Sequence, residues 1–175
     1  MSDIVLRTER LTLRRFDPHD AAFVLTLVNQ PSFKRYIGDR GVATPDDARR
    51  YIEDGPKQTF DRHGYSAYVV ERTADGDAVG MCGLFRREGL DLPDLGFALL
   101  EAHFGRGFAI ESSRGVLRHA RDDLGLASVA AIVDPDNASS IALLEKLGFV
   151  HVRMCRLPGE TTDLRYYAVS LRSDA

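Results

Sequence analysis

The sequence predicts an α/β domain of the α+β kind, built on one mixed sheet that is largely antiparallel with a single parallel step. Three observations predict it. Two β-like runs, Tyr65 to Glu71 and Val79 to Phe85, are separated by Asp75-Gly76 and read as a hairpin. A strand from Leu95 to Leu100, a helical stretch from Phe108 and a buried-type strand from Leu126 to Val133 follow one another as a parallel crossover unit. Two more strands, Phe149 to Arg153 and Leu164 to Leu171, close the chain around the turn-rich Leu157-Pro-Gly-Glu-Thr-Thr.

The remaining elements follow in order. Arg10-Leu-Thr-Leu-Arg-Arg-Phe16 alternates apolar and polar residues, the period of a half-buried strand. Asp17 is placed to cap the next helix, with Pro18 at its first position and Ala22, Phe23 and Leu27 as its apolar stripe. Thr44-Pro-Asp-Asp47 is a second start signal: the threonine can accept from the N–H three residues on, and the aspartates suit the positive end of the dipole. That helix carries Ala48, Tyr51 and Ile52, and Asp54-Gly-Pro56 is expected to bend or interrupt it before Phe60. Gly80 and Gly83, in the second hairpin strand, permit close approach to its backbone. From Phe108, residues Ala109, Ser113, Val116, Leu117, Ala120 and Leu124 recur at helical spacing until Gly125 stops them. Asp134-Pro-Asp-Asn137 leads into a short helix with Ile141, Leu144 and Leu147 on one face, ended by Gly148.

Length and composition set the class. The 175 residues suit one domain spanning 1–175, in which roughly 70% of the unfolded surface becomes buried. Lys and Arg number 23 against 26 Asp and Glu, so no general field favours nucleic acid or an anionic membrane. Cys82 and Cys155 lack CxxC or histidine spacing and read as buried structural residues; the five histidines show no metal spacing, and no metal is expected. The start, MSDIVLRTERL, has neither an apolar signal core nor uncharged length to span a bilayer, which makes the cytoplasm the expected location.

Between the strand ending at Leu100 and the helix from Phe108, Gly105 and Gly107 flank Arg106. At such a junction exposed N–H groups and the positive end of a helix dipole can face an anion. No GxxxxGK followed by Ser or Thr occurs, so a P-loop is excluded. A dinucleotide fold fits poorly: Asp134 stands where a ribose-binding acid would, but Ile110 replaces the third glycine and Glu101-Ala-His-Phe104 lengthens the turn.

Phe104-Gly-Arg-Gly-Phe-Ala109 instead resembles the acetyl-CoA signature (Gln or Arg)-x-x-Gly-x-(Gly or Ala) of the GNAT superfamily of N-acetyltransferases. Thr8-Glu-Arg-Leu-Thr-Leu-Arg14 resembles the opening strand of the branch containing RimJ and RimL, which acetylate ribosomal-protein N-termini. Leu95-Gly-Phe97 resembles the strand leading into the signature. Asn137-Ala-Ser-Ser140, with Glu145-Lys-Leu-Gly-Phe149 behind it, resembles the late Asn-x-x-Ser...Glu-Lys-Leu-Gly-Phe motif, so the likeness runs from about residue 6 to 171. Phe104 replaces the usual Gln or Arg, and an aromatic there also occurs in the RimJ and RimL branch.

The resemblance implies a GNAT fold with helices on both faces and central strands that splay apart, with acetyl-CoA as cosubstrate. It assigns the diphosphate to Phe104, Gly105, Arg106, Gly107, Phe108 and Ala109, where the glycines allow positive φ and let N–H groups converge. Each hydrogen bond to a charged oxygen is worth about 1.5–3 kcal/mol. Arg106 either adds a cation or is a solvated loop residue. Backbone groups of Phe97, Ala98 and Leu99 are implied to bind the pantetheine arm like an added strand, with an N–H near Leu99 available to the thioester oxygen. Asn137 is implied to bond the arm from the opposite wall, and taken alone it reads as a helix cap.

Aminolysis of a thioester requires a neutral amine, so a proton must be accepted, and the departing thiolate needs one. The tyrosine many relatives use as acid falls at Leu144, so none carries over. Ser140, one turn from Asn137, is the candidate catalytic residue, for thiol contact or protonation; its plain reading is a first-turn hydroxyl. Asp94, Glu101 and His103 are candidate bases that also read as solvated side chains, and Glu145 reads as a helix-surface partner. One of Tyr166 and Tyr167 is expected to face the core and the other the acceptor cleft. No cationic cluster activates Cys82, so direct transfer in a ternary complex is expected rather than an acetyl-cysteine.

The expected activity is acetyl transfer to a primary amine, either a protein N-terminus or a small molecule. The alternative is a noncatalytic acyl-CoA-binding sensor that keeps the cradle and loses the proton-transfer groups. Acceptor choice falls to Phe33–Phe60 and Leu157–Asp163, where Asp46, Asp47, Glu53 and Asp54 offer attraction for a polycation. No nucleic-acid or membrane partner is expected, and the oligomeric state is left open, a homodimer included.

Overall fold

The computed structural model describes residues 3–173; the other four residues of the expected 1–175 span lie outside the described residues. In chain order the elements are β1 (Ile4–Arg7), β2 (Leu11–Arg14), α1 (Ala21–Val28), α2 (Pro31–Tyr36), α3 (Pro45–Ile52), α4 (Gln58–His63), β3 (Ala67–Arg72), β4 (Ala78–Phe85), β5 (Asp94–Leu99), α5 (Phe108–Asp122), β6 (Ser128–Val133), α6 (Ala138–Lys146), β7 (Val150–Cys155) and β8 (Leu164–Ser170). The eight strands form one sheet in the order β1-β2-β3-β4-β5-β6-β8-β7. Every neighbouring pair is antiparallel except β5 and β6, which run parallel and share the single register Asp94–Ala130. The expected hairpin is β3–β4, and the expected crossover is β5-α5-β6.

Alternation along the strands divides the core between two faces. Ala67, Val69 and Met81 turn towards α1, α2 and α3, where Val24, Leu27, Phe33 and Ile52 are buried. Tyr68, Val70, Cys82 and Leu84 turn the other way, into a core shared with Phe108 and Val116 of α5 and Leu144 of α6. Gly83 and Gly80 allow the sheet its close contacts: a Cβ on Gly83 would lie 2.1 Å from the Ser66 carbonyl oxygen, and one on Gly80 2.4 Å from that of Ala98.

Both helix-start signals form as capping boxes, Asp17 with Asp20 and Thr44 with Asp47. The stripe of the first helix differs from expectation. Ala22 is exposed and Phe23 half-buried, whereas Ala21, Val24, Leu27 and Val28 are buried. The cause is a 3-10 turn over Pro18–Asp20, whose three-residue period shifts the helical phase before α1 begins. Pro56 interrupts the next helix as a π turn over Glu53–Lys57, which absorbs the missing N–H and lets α4 continue. Strand β1 and helix α2 are weakly signalled: one is a short edge strand, and the other is six residues long with Pro31 at its first position but no side-chain cap.

Candidate active site

The glycine corner is built as a bare helix start. After a 3-10 turn over Glu101–His103, Phe104 is 53% exposed, Gly105 takes φ 74° and Gly107, the N-cap of α5, takes φ 77°. No side chain among the described residues caps the helix, and its first internal bond is from the Glu111 N–H to the Gly107 carbonyl at 3.1 Å. The N–H groups of Phe108, Ala109 and Ile110 therefore have no partner within the helix. Among the described residues nothing lies within 4 Å of a Cβ placed on Gly105, so the corner is open.

This corner is tied to the N-terminal hairpin. Arg10 donates from Nε to Glu111 at 2.7 Å and from Nη1 to the Arg106 carbonyl at 2.9 Å, and its guanidinium stacks 4.7 Å from the centre of the Phe108 ring. The Thr8 hydroxyl and the Arg10 N–H also donate to Glu111, at 2.7 and 2.8 Å. Burial alone would raise the Glu111 pKa, but these bonds outweigh it and hold the carboxyl below its usual range.

Strand β5 presents a second row of donors. The Leu100 N–H bonds the Val79 carbonyl at 2.8 Å, which fixes the alternation: even-numbered residues of β5 bond β4, and odd-numbered ones face β6. The Ala130 N–H to Pro93 carbonyl bond, 2.9 Å, follows the same parity on the β6 side. Beyond Asp94–Ala130 no further register joins β5 to β6 among the described residues, so the amides of Phe97 and Leu99 point into a gap. Ala98 lies between them with its own amide turned to β4. The Leu99 carbonyl accepts from Gln30 Nε2 at 3.1 Å, and the same side chain accepts from the Glu101 N–H at 2.8 Å, which anchors the end of β5.

On the far side of the gap, Asn137 is the N-cap of α6; its Oδ1 accepts from the Ser140 N–H at 3.3 Å and the Ser139 hydroxyl at 3.2 Å. Ser140 is half-buried, and its hydroxyl has no protein partner among the described residues. Leu144 is 2% exposed and belongs to the core.

The base candidates differ in exposure: Asp94 is buried, His103 half-buried and Glu101 exposed. Asp94 is 1% exposed and bonded by Arg87 Nε at 2.9 Å, and its other oxygen is buried without a partner among the described residues. Burial raises its pKa against the opposing pull of Arg87. Glu101 accepts from the N–H and hydroxyl of Ser32, 3.2 and 2.7 Å, and so serves the start of α2. His103 packs 6.3 Å from Phe108, and burial followed by the charge of Arg106 lowers its pKa. Glu145 is exposed.

Both tyrosines of β8 are buried. Tyr167 joins the main core, while Tyr166 packs with Leu90 and Ala130 and donates to Asp91 at 3.1 Å, so neither faces an open acceptor cleft. Asp46, Asp47 and Glu53 are paired with Arg49, Arg50 and Lys57, which cancels most of their expected pull on a polycation. Cys82 is fully buried, whereas Cys155 is only partly so.

One feature was missed in the sequence, although the i, i+4, i+7 arginines of α5 signal it. A cleft of about 450 Å³ between the later turns of α5, the end of α6 and the end of β8 is lined by Arg114, Arg118, Arg121, Lys146 and Arg172. Arg114, Arg118 and Arg121 share one face of α5 at helical spacing, and the fold brings Lys146 and Arg172 to them. No helix among the described residues is long and apolar enough to cross a membrane.

The chain is similar to known acetyltransferases in sequence and in fold. The family model described as acetyltransferase (GNAT) domain matches residues 10–150. The uncharacterized N-acetyltransferase p20 of Bacillus licheniformis is 27% identical over 146 residues, 82% of this chain and 81% of that relative. Among solved structures, RimL, the ribosomal L7/L12 alpha-N-protein acetyltransferase, aligns with a TM-score of 0.82 at 18% identity over 97% of this chain and 95% of its own. RimJ of Mycobacterium smegmatis in complex with CoA-disulfide aligns with a TM-score of 0.76 at 21% identity, over 91% and 81%. At these identities the two structures show a shared fold.

Proposed function

The chain belongs to the acetyltransferase (GNAT) domain family, N-acetyltransferases that use acetyl-CoA, and from that premise we propose direct acetyl transfer, within a ternary complex, to a primary amine. The acceptor is a protein N-terminus or a small molecule; the fold neighbour named for the alpha-N terminus of ribosomal L7/L12 supports the first. The observation that carries the reading is the uncapped start of α5 set beside a strand whose outward amides have lost their neighbour.

The residues fit the cosubstrate. Positive φ at Gly105 and Gly107 turns the N–H groups of residues 105–109 towards one diphosphate, with Phe104 and Arg106 exposed alongside. Phe97 and Leu99 take the amide arm as an added strand would, and the Leu99 N–H, free on the gap side, is the donor for the developing oxyanion. Asn137 keeps a cap role and lends its amide group to the arm from the facing wall. Ser140, with an uncommitted hydroxyl, is the group for the sulfur. Arg114, about 9 Å along α5 from Phe108, opens the basic cleft and offers the third phosphate of CoA a partner. Bound acetyl-CoA supplies the activated acyl group; the chain orients it and excludes water.

The test is a panel of peptide and small amines with detection of released thiol. Acceptor-dependent CoA release is the expected result, and dephospho-CoA should bind more weakly than CoA. Tight CoA binding without turnover on any amine would establish the sensor reading, which the buried Leu144 at the position of the usual tyrosine favours.

A further inference from the structure

Nothing in the acetyl-CoA signature involves the N-terminal hairpin, yet Arg10 is built into the corner. Its Nε is committed to Glu111 and its Nη1 to the Arg106 carbonyl, while Nη2 has no protein partner among the described residues. That free nitrogen lies 3.3 Å from the position a Cβ would occupy on Gly107. The guanidinium is further fixed by the Phe108 ring, and Thr8 and the Arg10 N–H orient Glu111 beneath it. A side chain held in one orientation by three interactions, with one charged nitrogen left over at a bare helix start, has the form of an anion ligand.

Building on the acetyl-CoA reading, we propose that Arg10 is a diphosphate-binding residue and Glu111 its positioning residue. The Thr8–Arg10 turn and the Gly105–Ala109 corner then form one device, assembled from two ends of the chain. Glu111 carries a negative charge in the first turn of α5, which by itself would repel a phosphate. The structure answers this by spending that charge on Arg10 and Thr8.

The experiment is calorimetric titration of CoA and of inorganic pyrophosphate into wild type, Arg10→Gln, Arg10→Lys and Glu111→Gln, each checked for an unchanged melting temperature. Arg10→Gln should weaken both ligands about tenfold to a hundredfold and flatten the dependence on salt. Arg10→Lys keeps the charge but cannot span Glu111 and the Arg106 carbonyl together, and should fall in between. Glu111→Gln should weaken binding about threefold to tenfold, although it removes a negative charge from the site. Wild-type affinity in Arg10→Gln or Arg10→Lys, or tighter binding in Glu111→Gln, overturns the assignment while leaving the corner itself intact. Failure of wild type to bind CoA overturns the acetyl-CoA reading and this assignment with it.

Discussion

Arg87 holds the buried carboxylate of Asp94 through Nε at 2.9 Å, at the one register where β5 still meets β6. Burial raises the Asp94 pKa, so folding favours its protonated form. Between the unfolded value and the raised folded value the native chain binds more protons, and this group's contribution to stability falls as pH rises through that window, then levels off. Arg87→Ala leaves the ionised carboxylate unpaired, with an expected loss of about 3 kcal/mol near neutrality. The loss should shrink in mildly acid buffer, as read by urea denaturation at both pH values; an equal loss in the two would remove Asp94 as the cause.

The glycines separate into two kinds. Gly83→Ala places a Cβ against backbone atoms of Ser66 and Ala67, which cannot retreat, and should prevent folding or cost about 3 kcal/mol or more. Gly105→Ala meets nothing within 4 Å among the described residues and bears the strain of positive φ, about 1 kcal/mol. Where both variants fold, their melting temperatures should differ by about 4–8 °C or more, Gly83→Ala being the lower.

Placing the family tyrosine at position 144 should not rescue proton transfer. Leu144 is buried in the core, and a phenol there overpacks it and leaves a hydroxyl without a defined partner, at an expected cost of about 1–3 kcal/mol. Turnover by Leu144→Tyr above that of wild type would show that the side chain reaches the reacting sulfur after all.

Cysteine labelling should be strongly asymmetric. Burial pushes the Cys82 thiol up to about 11, with Ser113 3.7 Å away as a weaker opposing influence. At mildly alkaline pH roughly a thousandth of it is thiolate, and none is accessible without opening. Iodoacetamide should modify the partly buried Cys155 first, Cys82 should react only as fast as the protein unfolds, and Cys82→Ser should retain acetyl transfer.

Legibility followed the range of the interactions. Asp17, Thr44, Gly107 and Gly148 carry local backbone instructions, and the elements they bound were readable from their neighbours in sequence. The parallel step was readable because a helix must separate two such strands. What could not be read were contacts between distant segments: Arg10 with Glu111, Gln30 with the end of β5, Glu101 with the start of α2, and the approach of Lys146 and Arg172 to the arginines of α5. Tyr166 and Asp94 misled for the same reason, since their burial depends on a loop carrying Leu90 and Arg87 whose path no local pattern determines.

With one register joining β5 to β6, the sheet is a seam that the chain leaves unsewn. A molecule laid along the outward amides of Phe97 and Leu99 would add the missing stitches, so cosubstrate and cohesion are linked by mass action. Without an acyl donor the protein should be softer, and limited proteolysis should slow when CoA is added.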